Sequence, residues 1–347
     1  MALSRKRLFR LRRGAAFVTI LAVSLITSAM ALSSTVNVKP EYLIPSDPPF
    51  PLFNPPSVAK IDLGKELFFD PILSGENSVS CASCHNPAYA WTDLERFSRG
   101  ETGTPRPRRT PSLQDVGWNT LFARDGRVET LEGFILGPIA HGEEMNQDLD
   151  SLPIELASTT IYPDRFEAAF GSRSINLDGI SQSLATYVRT LRSAISPFDR
   201  WIAGDPTAMS GSAKAGFKLF TGKAGCSQCH SGWRFTDQQF HDIGIKTDDK
   251  GRGRLKPNVP RLQYAFKTPS LRNVAIRPPY MHNGSVSSLE KVIEHYQSSF
   301  ISRPSTSPKI QVLYLTVQEK LNLSEFLKNL TDDIRKGDIV HNSPTNE

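Results

Sequence analysis

All four cysteines of the chain fall in two short runs, Cys81-Ala82-Ser83-Cys84-His85 and Cys226-Ser227-Gln228-Cys229-His230. C-x-x-C-H is the pattern by which haem c is attached: the thiols add across the two vinyl groups, and the adjacent histidine reaches the iron as proximal ligand. Other uses of such thiols compete. A zinc site would gather the four thiolates, but it needs neither a histidine after each pair nor export. Local disulfides would suit an oxidising compartment, yet C-x-x-C bridges usually sit in a strand–turn–helix setting absent here. Two occurrences in a chain whose N-terminus reads as an export signal predict two covalently bound haems. What each iron does then depends on its sixth position. A six-coordinate haem moves electrons, whereas one with an open face binds peroxide or dioxygen.

The elements that must position these groups repeat. Gly64-Lys65-Glu66-Leu67-Phe68 precedes the first motif and Gly216-Phe217-Lys218-Leu219-Phe220 the second. Thr110-Pro111-Ser112-Leu113-Gln114-Asp115-Val116 matches Thr268-Pro269-Ser270-Leu271-Arg272-Asn273-Val274. At the same offset Asp125-Gly126 matches Asn283-Gly284, and Thr130-Leu131-Glu132 matches Ser288-Leu289-Glu290. The fold expected is mainly α, with two cytochrome c-like haem domains related by internal duplication and joined by long irregular loops. Their bounds are 57–200 and 201–335, after a proline-rich arm over 32–56 laid on the body, and with a tail over 336–347. Ser287 and Glu290 predict a capping box opening a helix with Leu289, Val292, Ile293 and Tyr296 on one face. Thr316 and Glu319 predict another, carrying Leu323, Phe326, Leu327 and Leu330. Ile180, Leu184, Tyr187, Val188 and Leu191 mark a third amphipathic helix. Residues 246–261, charged and with Gly251 and Gly253, read as an exposed loop. At the repeat's offset Tyr296 corresponds to Pro138. A phenolate can ligate iron and proline cannot, so the second iron would be capped and the first open; an ordinary core tyrosine is the competing reading.

The ends of the chain set the compartment. Arg5, Lys6, Arg7, Arg10, Arg12 and Arg13 form a positive n-region, an uncharged stretch runs from Gly14 to Ile26, and Ala29-Met30-Ala31 supplies small-x-small cleavage. That predicts a signal peptide over 1–31, a mature start near Leu32 and a periplasmic protein. A retained anchor is the lesser alternative, because the stretch is short for a span. The formal charge of +6 arises from those six cations; beyond residue 31 bases and acids balance at 35 each. Nothing in that balance points to nucleic acid.

Several runs together resemble the bacterial di-haem cytochrome c peroxidase and MauG family. They are 63–70, 80–85, Thr110 to Leu113, Asp125-Gly126-Arg127, Pro138 to Met145, Thr268 to Val274, and Pro279-Tyr280-Met281-His282-Asn283-Gly284. The likeness covers nearly the whole mature chain. It implies that the N-terminal haem is the peroxide site and that the C-terminal haem relays electrons. The relay haem's sixth ligand then falls at Tyr296, a methionine in ordinary peroxidases and a tyrosine in MauG-type members; Met281 falls elsewhere and packs. The removable distal histidine of ordinary members would lie in Arg99-Gly100-Glu101-Thr102-Gly103, which holds none, leaving the first iron open at rest. His141, three residues past Pro138, is the candidate that would contradict this, with a pocket or surface role preferred. Glu144 aligns with the family's distal carboxylate, which carries a proton between the oxygens of peroxide.

Three departures stand out. Arg124 replaces a tryptophan between the haems, and Trp118 need not fill that space. Phe134 replaces a pocket glutamine. Arg109 replaces an asparagine that binds an inter-haem calcium together with the carbonyls at Arg277 and Pro279, and a guanidinium there repels calcium. The resemblance therefore predicts two haems c without calcium, with Arg109, Arg124 and Arg277 placing fixed charge near haem propionates. It predicts a periplasmic peroxidase taking hydrogen peroxide, with electrons from a small cytochrome c or cupredoxin. MauG-like oxidation of aromatic residues on a partner protein is the alternative, and a non-catalytic di-haem carrier or sensor is the reading of another class.

Overall fold

The computed structural model describes residues 39–332; the signal segment 1–31, the start at Leu32 and the tail 336–347 lie outside the described residues. Ten helices are placed along it: α1 (Val58–Phe69), α2 (Cys81–Cys84), α3 (Leu131–Ala140), α4 (Leu152–Ser158), α5 (Tyr162–Phe170), α6 (Leu177–Arg189), α7 (Pro197–Ile202), α8 (Gly211–Thr221), α9 (Leu289–Glu294) and α10 (Val317–Lys328). Among the described residues the named strands are one antiparallel pair, β1 (Phe240–His241) and β2 (Phe266–Lys267), with Phe240 opposite Lys267. The rest is loop, 3₁₀ turn and the π turn His295–Ser299, and the loops fit the proline content.

Two apolar cores form. In the first, Leu63, Leu67 and Phe68 of α1 meet Ile180, Leu184 and Tyr187 of α6, with Leu131 and Ile139 of α3 beside them. In the second, Phe217 and Phe220 of α8 meet Leu323 and Phe326 of α10, with Phe198, Phe235 and Ile293. The second core is aromatic, with Phe220 and Phe326 centroids 5.0 Å apart. Phe198, on the first side of the boundary expected at 200, belongs to this second core, because α7 buries it against Phe217 and Phe326.

Both principal helix pairs cross at a glycine. A Cβ on Gly64 would stand 2.0 Å from the Ser183 carbonyl oxygen, and one on Gly216 would stand 2.0 Å from that of Asn322. Alanine at Gly216 must push α8 off α10, since the obstacle is backbone rather than a side chain that can swing away. Gly216→Ala should cost about 1–3 kcal/mol or more, seen as a lowered thermal midpoint of the haem-loaded protein; an unchanged midpoint would refute the close crossing.

Helix starts follow the polar residues before each apolar run. Ser57, Asn176 and Ser210 accept from the third residue on, and Thr316 with Glu319 forms the anticipated capping box. The start of α9 is a correction. Ser288, not Ser287, is its N-cap and accepts from Lys291 N, while Glu290 takes the Ser324 hydroxyl at 2.9 Å instead of closing a box.

The arm runs over both cores. Tyr42 inserts among Phe198, Phe217 and Phe235, and Arg192 donates to the Pro45 carbonyl. Asn54 is wholly buried and donates to Glu132 Oε1 at 2.8 Å. Glu132 in turn holds Arg189 in a two-point buried ion pair of 2.7 and 2.9 Å. The second core holds a buried ion pair of its own, Arg272–Asp199 at 2.5 Å.

Many contacts between the halves are polar. Arg234 donates to the Asp115 and Trp118 carbonyls and to Asn119 Oδ1. Arg108 pairs with Asp125 at 2.7 Å and Asp249 at 2.6 Å. The 246–261 segment is therefore not a free loop throughout. Gly251 and Gly253 are buried, Arg252 donates to the Asp125 and Gly126 carbonyls, and only 254–258 is continuously exposed. Burial alone would raise the Asp249 carboxyl, but hydrogen bonds from Arg108 outweigh it and hold it at about 2. A carboxyl depressed on folding adds stability above its unfolded value near 4 and loses it as the pH falls toward 2. That part is about 1–2 kcal/mol after allowing for solvent screening. Asp249→Asn should flatten the acid limb of a stability–pH curve between about pH 4 and 2.

Candidate redox centres

The first motif forms α2, a single turn capped at Ser80, whose N–H meets Ser83 Oγ at 3.1 Å. That turn brings Cys81, Cys84 and His85 together. His85 Nδ1 lies 3.0 Å from the Trp91 carbonyl oxygen. A carbonyl only accepts, so Nδ1 holds the proton and Nε2 keeps its lone pair for a metal. His230 does the same, with Nδ1 2.8 Å from the Phe235 carbonyl. Both carbonyls belong to left-handed residues, Trp91 at φ 60° and Phe235 at φ 55°. Burial pushes both imidazoles below their ordinary range, so they stay neutral and fit to ligate. Burial pushes the thiols up, Cys81 and Cys226 to about 12.

Around the second motif lies a partly open cavity of about 360 Å³. Cys226, Cys229 and His230 line it together with Tyr296, Ile293 and Leu289. Tyr296 stands where the helical course changes: α9 gives way at His295 to a π turn, His295–Ser299. Buried His295 donates from Nε2 to the Ile243 carbonyl at 2.8 Å, tying that turn to the wall of the cavity. Met281 also lines the cavity, at φ 74°.

The end of the cavity facing the first half carries Arg109, Arg124, Lys267 and Arg277. Arg124 Nε donates to the Arg109 carbonyl at 3.0 Å, and Arg277 donates to the Asn273 and Ser270 carbonyls. Burial, then the neighbouring Arg109, Arg108 and Arg277, pushes Arg124 down to about 9. Burial likewise takes Arg277 to about 10 and Lys267 to about 8. Crowded buried cations whose hydrogen bonds go to backbone call for an anion. A haem brings two propionates, so the thiols, free imidazole nitrogen, cavity and cations fit haem c.

Calcium does not fit. Arg109 turns its guanidinium onto the carbonyls of Asp93 (2.6 Å), Thr110 (3.0 Å) and Pro278 (3.1 Å), so a cation of the chain itself occupies oxygens that could face an ion.

Pro138 lies in the last turn of α3, its carbonyl accepting from Met145 N. Glu144 follows with its side chain partly exposed, 3.1 Å from Arg106. It is near enough to Cys84 to add to the burial and the Asp93 charge that push that thiol to about 11. Phe134 is half-buried beneath Arg127. His141, a pocket or surface residue on the sequence reading, is exposed, and its Nδ1 accepts from Glu143 N at 3.2 Å.

The structure adds residues that the motif reading passed over. Beside Cys229, His241 Nε2 lies 2.9 Å from Asp237, which also meets Lys309 at 3.2 Å. Burial opposes charge on His241, but Asp237 outweighs it and the ring rises to about 9. Trp118 does not sit among the inter-haem arginines; it packs edge-on against Trp233 across the two halves, centroids 4.8 Å apart. Trp233 is three residues past His230, a spacing with no chemical signature of its own.

A family model described as di-haem cytochrome c peroxidase matches residues 58–207. The methylamine utilization protein MauG of Methylorubrum extorquens is 45% identical over 84% of this chain and 84% of its own length. The cytochrome c551 peroxidase of Nitrosomonas europaea is 30% identical over 91% of each. Among solved structures, a MauG-like protein associated with microbial copper homeostasis superposes with a TM-score of 0.78 at 32% identity, covering 85% of this chain and 95% of that one.

Proposed function

Because the chain belongs to the di-haem cytochrome c peroxidase and MauG family of c-type haem oxidoreductases, we propose that it reduces hydrogen peroxide at the centre of Cys81, Cys84 and His85. Electrons reach that centre through the one held by Cys226, Cys229 and His230. When bound, the haems supply the electron transfer and the iron at which peroxide is reduced. The chain supplies the asymmetry. Tyr296 lines the same cavity as His230, while the side chain of the matching residue of the first half, Pro138, has no donor atom. That difference carries the reading. Glu144 moves the proton between the peroxide oxygens, and Arg109, Arg124 and Arg277 hold the propionates.

Duplication makes Tyr296 and Pro138 comparable, and local geometry supports it. Asp115 at φ 58° and Asn273 at φ 57° each open a 3₁₀ turn. Bridges Phe122–Val128 and Tyr280–Val286 occupy matching places. The expected domain bounds near 57, 200 and 335 and a periplasmic site belong to the same proposal; the N-terminal charge pattern supports the latter. Among the described residues no helix is long and apolar enough to cross a membrane.

The test is the spectrum of the resting ferric protein, which should show one high-spin and one low-spin haem. Two low-spin haems would point to an electron carrier instead. A second reading draws the electrons from residues of a partner protein. Tyr296, the absence of histidine in 99–103 and the likeness to MauG favour it, while Arg124 and Phe134 weaken it. Peroxide consumption that depends on a small cytochrome or cupredoxin marks the first reading; modification of a partner marks the second. Calcium is absent on either, and an inter-haem calcium at full occupancy in metal analysis would overturn the reading of Arg109.

A further inference from the structure

The hairpin over 98–106 is locked against the Glu144 turn. Arg99 bridges Pro105, and Arg106 N donates to the Ser98 carbonyl at 2.9 Å. Glu101 N donates to the Glu144 carbonyl at 2.7 Å. A Cβ on Gly100 would stand 2.3 Å from the carbonyl oxygens of both Glu143 and Glu144, so the two backbones touch. The Glu101 carboxylate accepts from Glu76 N at 2.8 Å and Ser78 Oγ at 3.0 Å, joining the hairpin to the segment that enters the first haem motif. The far arm of the hairpin ends in Arg106. Its guanidinium spans the turn, meeting Glu143 Oε2 with one nitrogen and Glu144 Oε1 with the other at 3.1 Å.

We propose that Arg106 is a positioning residue for Glu144, its guanidinium holding that carboxylate in the rotamer from which it reaches peroxide. Two adjacent acids repel and carry several rotamers each; one planar guanidinium taking an oxygen from both removes that freedom. Arg106 neither touches peroxide nor gives up a proton. It keeps the carboxylate still while that group takes a proton from one peroxide oxygen and returns it to the other. Alignment of this kind acts on the rate far more than on stability, because an exposed ion pair stabilises little. The inference rests on Glu144 being the proton carrier.

The experiment follows the reaction of the full di-haem protein with hydrogen peroxide by stopped flow, in Arg106→Gln, Arg106→Lys, Glu144→Gln and the Arg106→Gln/Glu144→Gln double variant. Resting spectra and haem content serve as folding controls. Arg106→Gln should slow the reaction roughly tenfold with both resting haem signals unchanged. Arg106→Lys should recover part of the loss, having the charge without the fork. The double variant should be no slower than Glu144→Gln alone, since nothing is left to position. Should the two losses multiply, or Arg106→Gln match wild type while Glu144→Gln is slow, Arg106 has no such role although the Glu144 reading stands. Should Glu144→Gln itself run at the wild-type rate, both fall together.

Discussion

In Tyr296→Phe the low-spin component of the resting spectrum is expected to disappear, and donor-dependent turnover to drop by roughly two orders of magnitude, on the order of 3 kcal/mol in barrier. Burial first, then the neighbouring Cys226 and Cys229, pushes the Tyr296 phenol up. At so buried a position the anion persists only beside a compensating cation, and the ferric iron that His230 would hold could supply it. Phenylalanine keeps the ring that fills the space next to Ile293 and Leu289 and removes only the oxygen. The loss is therefore one of ligation rather than packing. Tyr296→Met tests the same point from the other side. A thioether raises the potential of a haem relative to an anionic oxygen ligand, so this variant should gain activity with a small cytochrome donor and lose any oxidation of a partner protein. If both variants keep the wild-type low-spin signal, Tyr296 is a core tyrosine and the second iron takes its ligand from elsewhere.

How much of this could be read from the residues depended on the range of each signal. The haem motifs are local, with five residues sufficing, and the structure brings each set together. Polar caps are local too, yet Ser287 and Ser288 stand side by side and only the backbone tells which one opens α9. The Tyr296–Pro138 correspondence needed a ruler, and the offset that relates Thr110–Val116 to Thr268–Val274 is the one that relates these two residues. What could not be read were contacts made by folding the halves onto each other. The run Arg106-Pro107-Arg108-Arg109 looks like one basic patch, but its three arginines do three different things. Arg106 faces Glu143 and Glu144, Arg108 joins Asp125 to Asp249, and Arg109 is buried against backbone carbonyls. Trp118 meeting Trp233, and Gly251 lying buried in a segment of charged residues, are likewise products of distant packing. His141 could be read as pocket or surface because spacing alone does not say where a helix ends, and the structure leaves it exposed. Pro138 sits in the last turn of α3, and beyond Ala140 the chain turns outward.

Glu144→Gln is expected to slow the reaction with peroxide by about 10²–10³-fold while both resting haem signals stay as they are. The amide is nearly isosteric and can still accept a hydrogen bond, but it cannot bind and release the proton that must pass between the peroxide oxygens. The Phe134 side chain offers no polar atom, and exposed His141 is turned toward Glu143 N, so on this reading neither takes over the proton. Glu144→Asp should fall between the two, because it retains the chemistry and shortens the reach by one methylene. Peroxide at high concentration should not rescue either variant, since the defect lies after binding; a restored maximal rate would place Glu144 in peroxide binding instead. The comparison with His141→Ala sharpens this. If that variant loses as much as Glu144→Gln, the proton passes through the imidazole, and the turn that keeps His141 at the surface must open during the reaction.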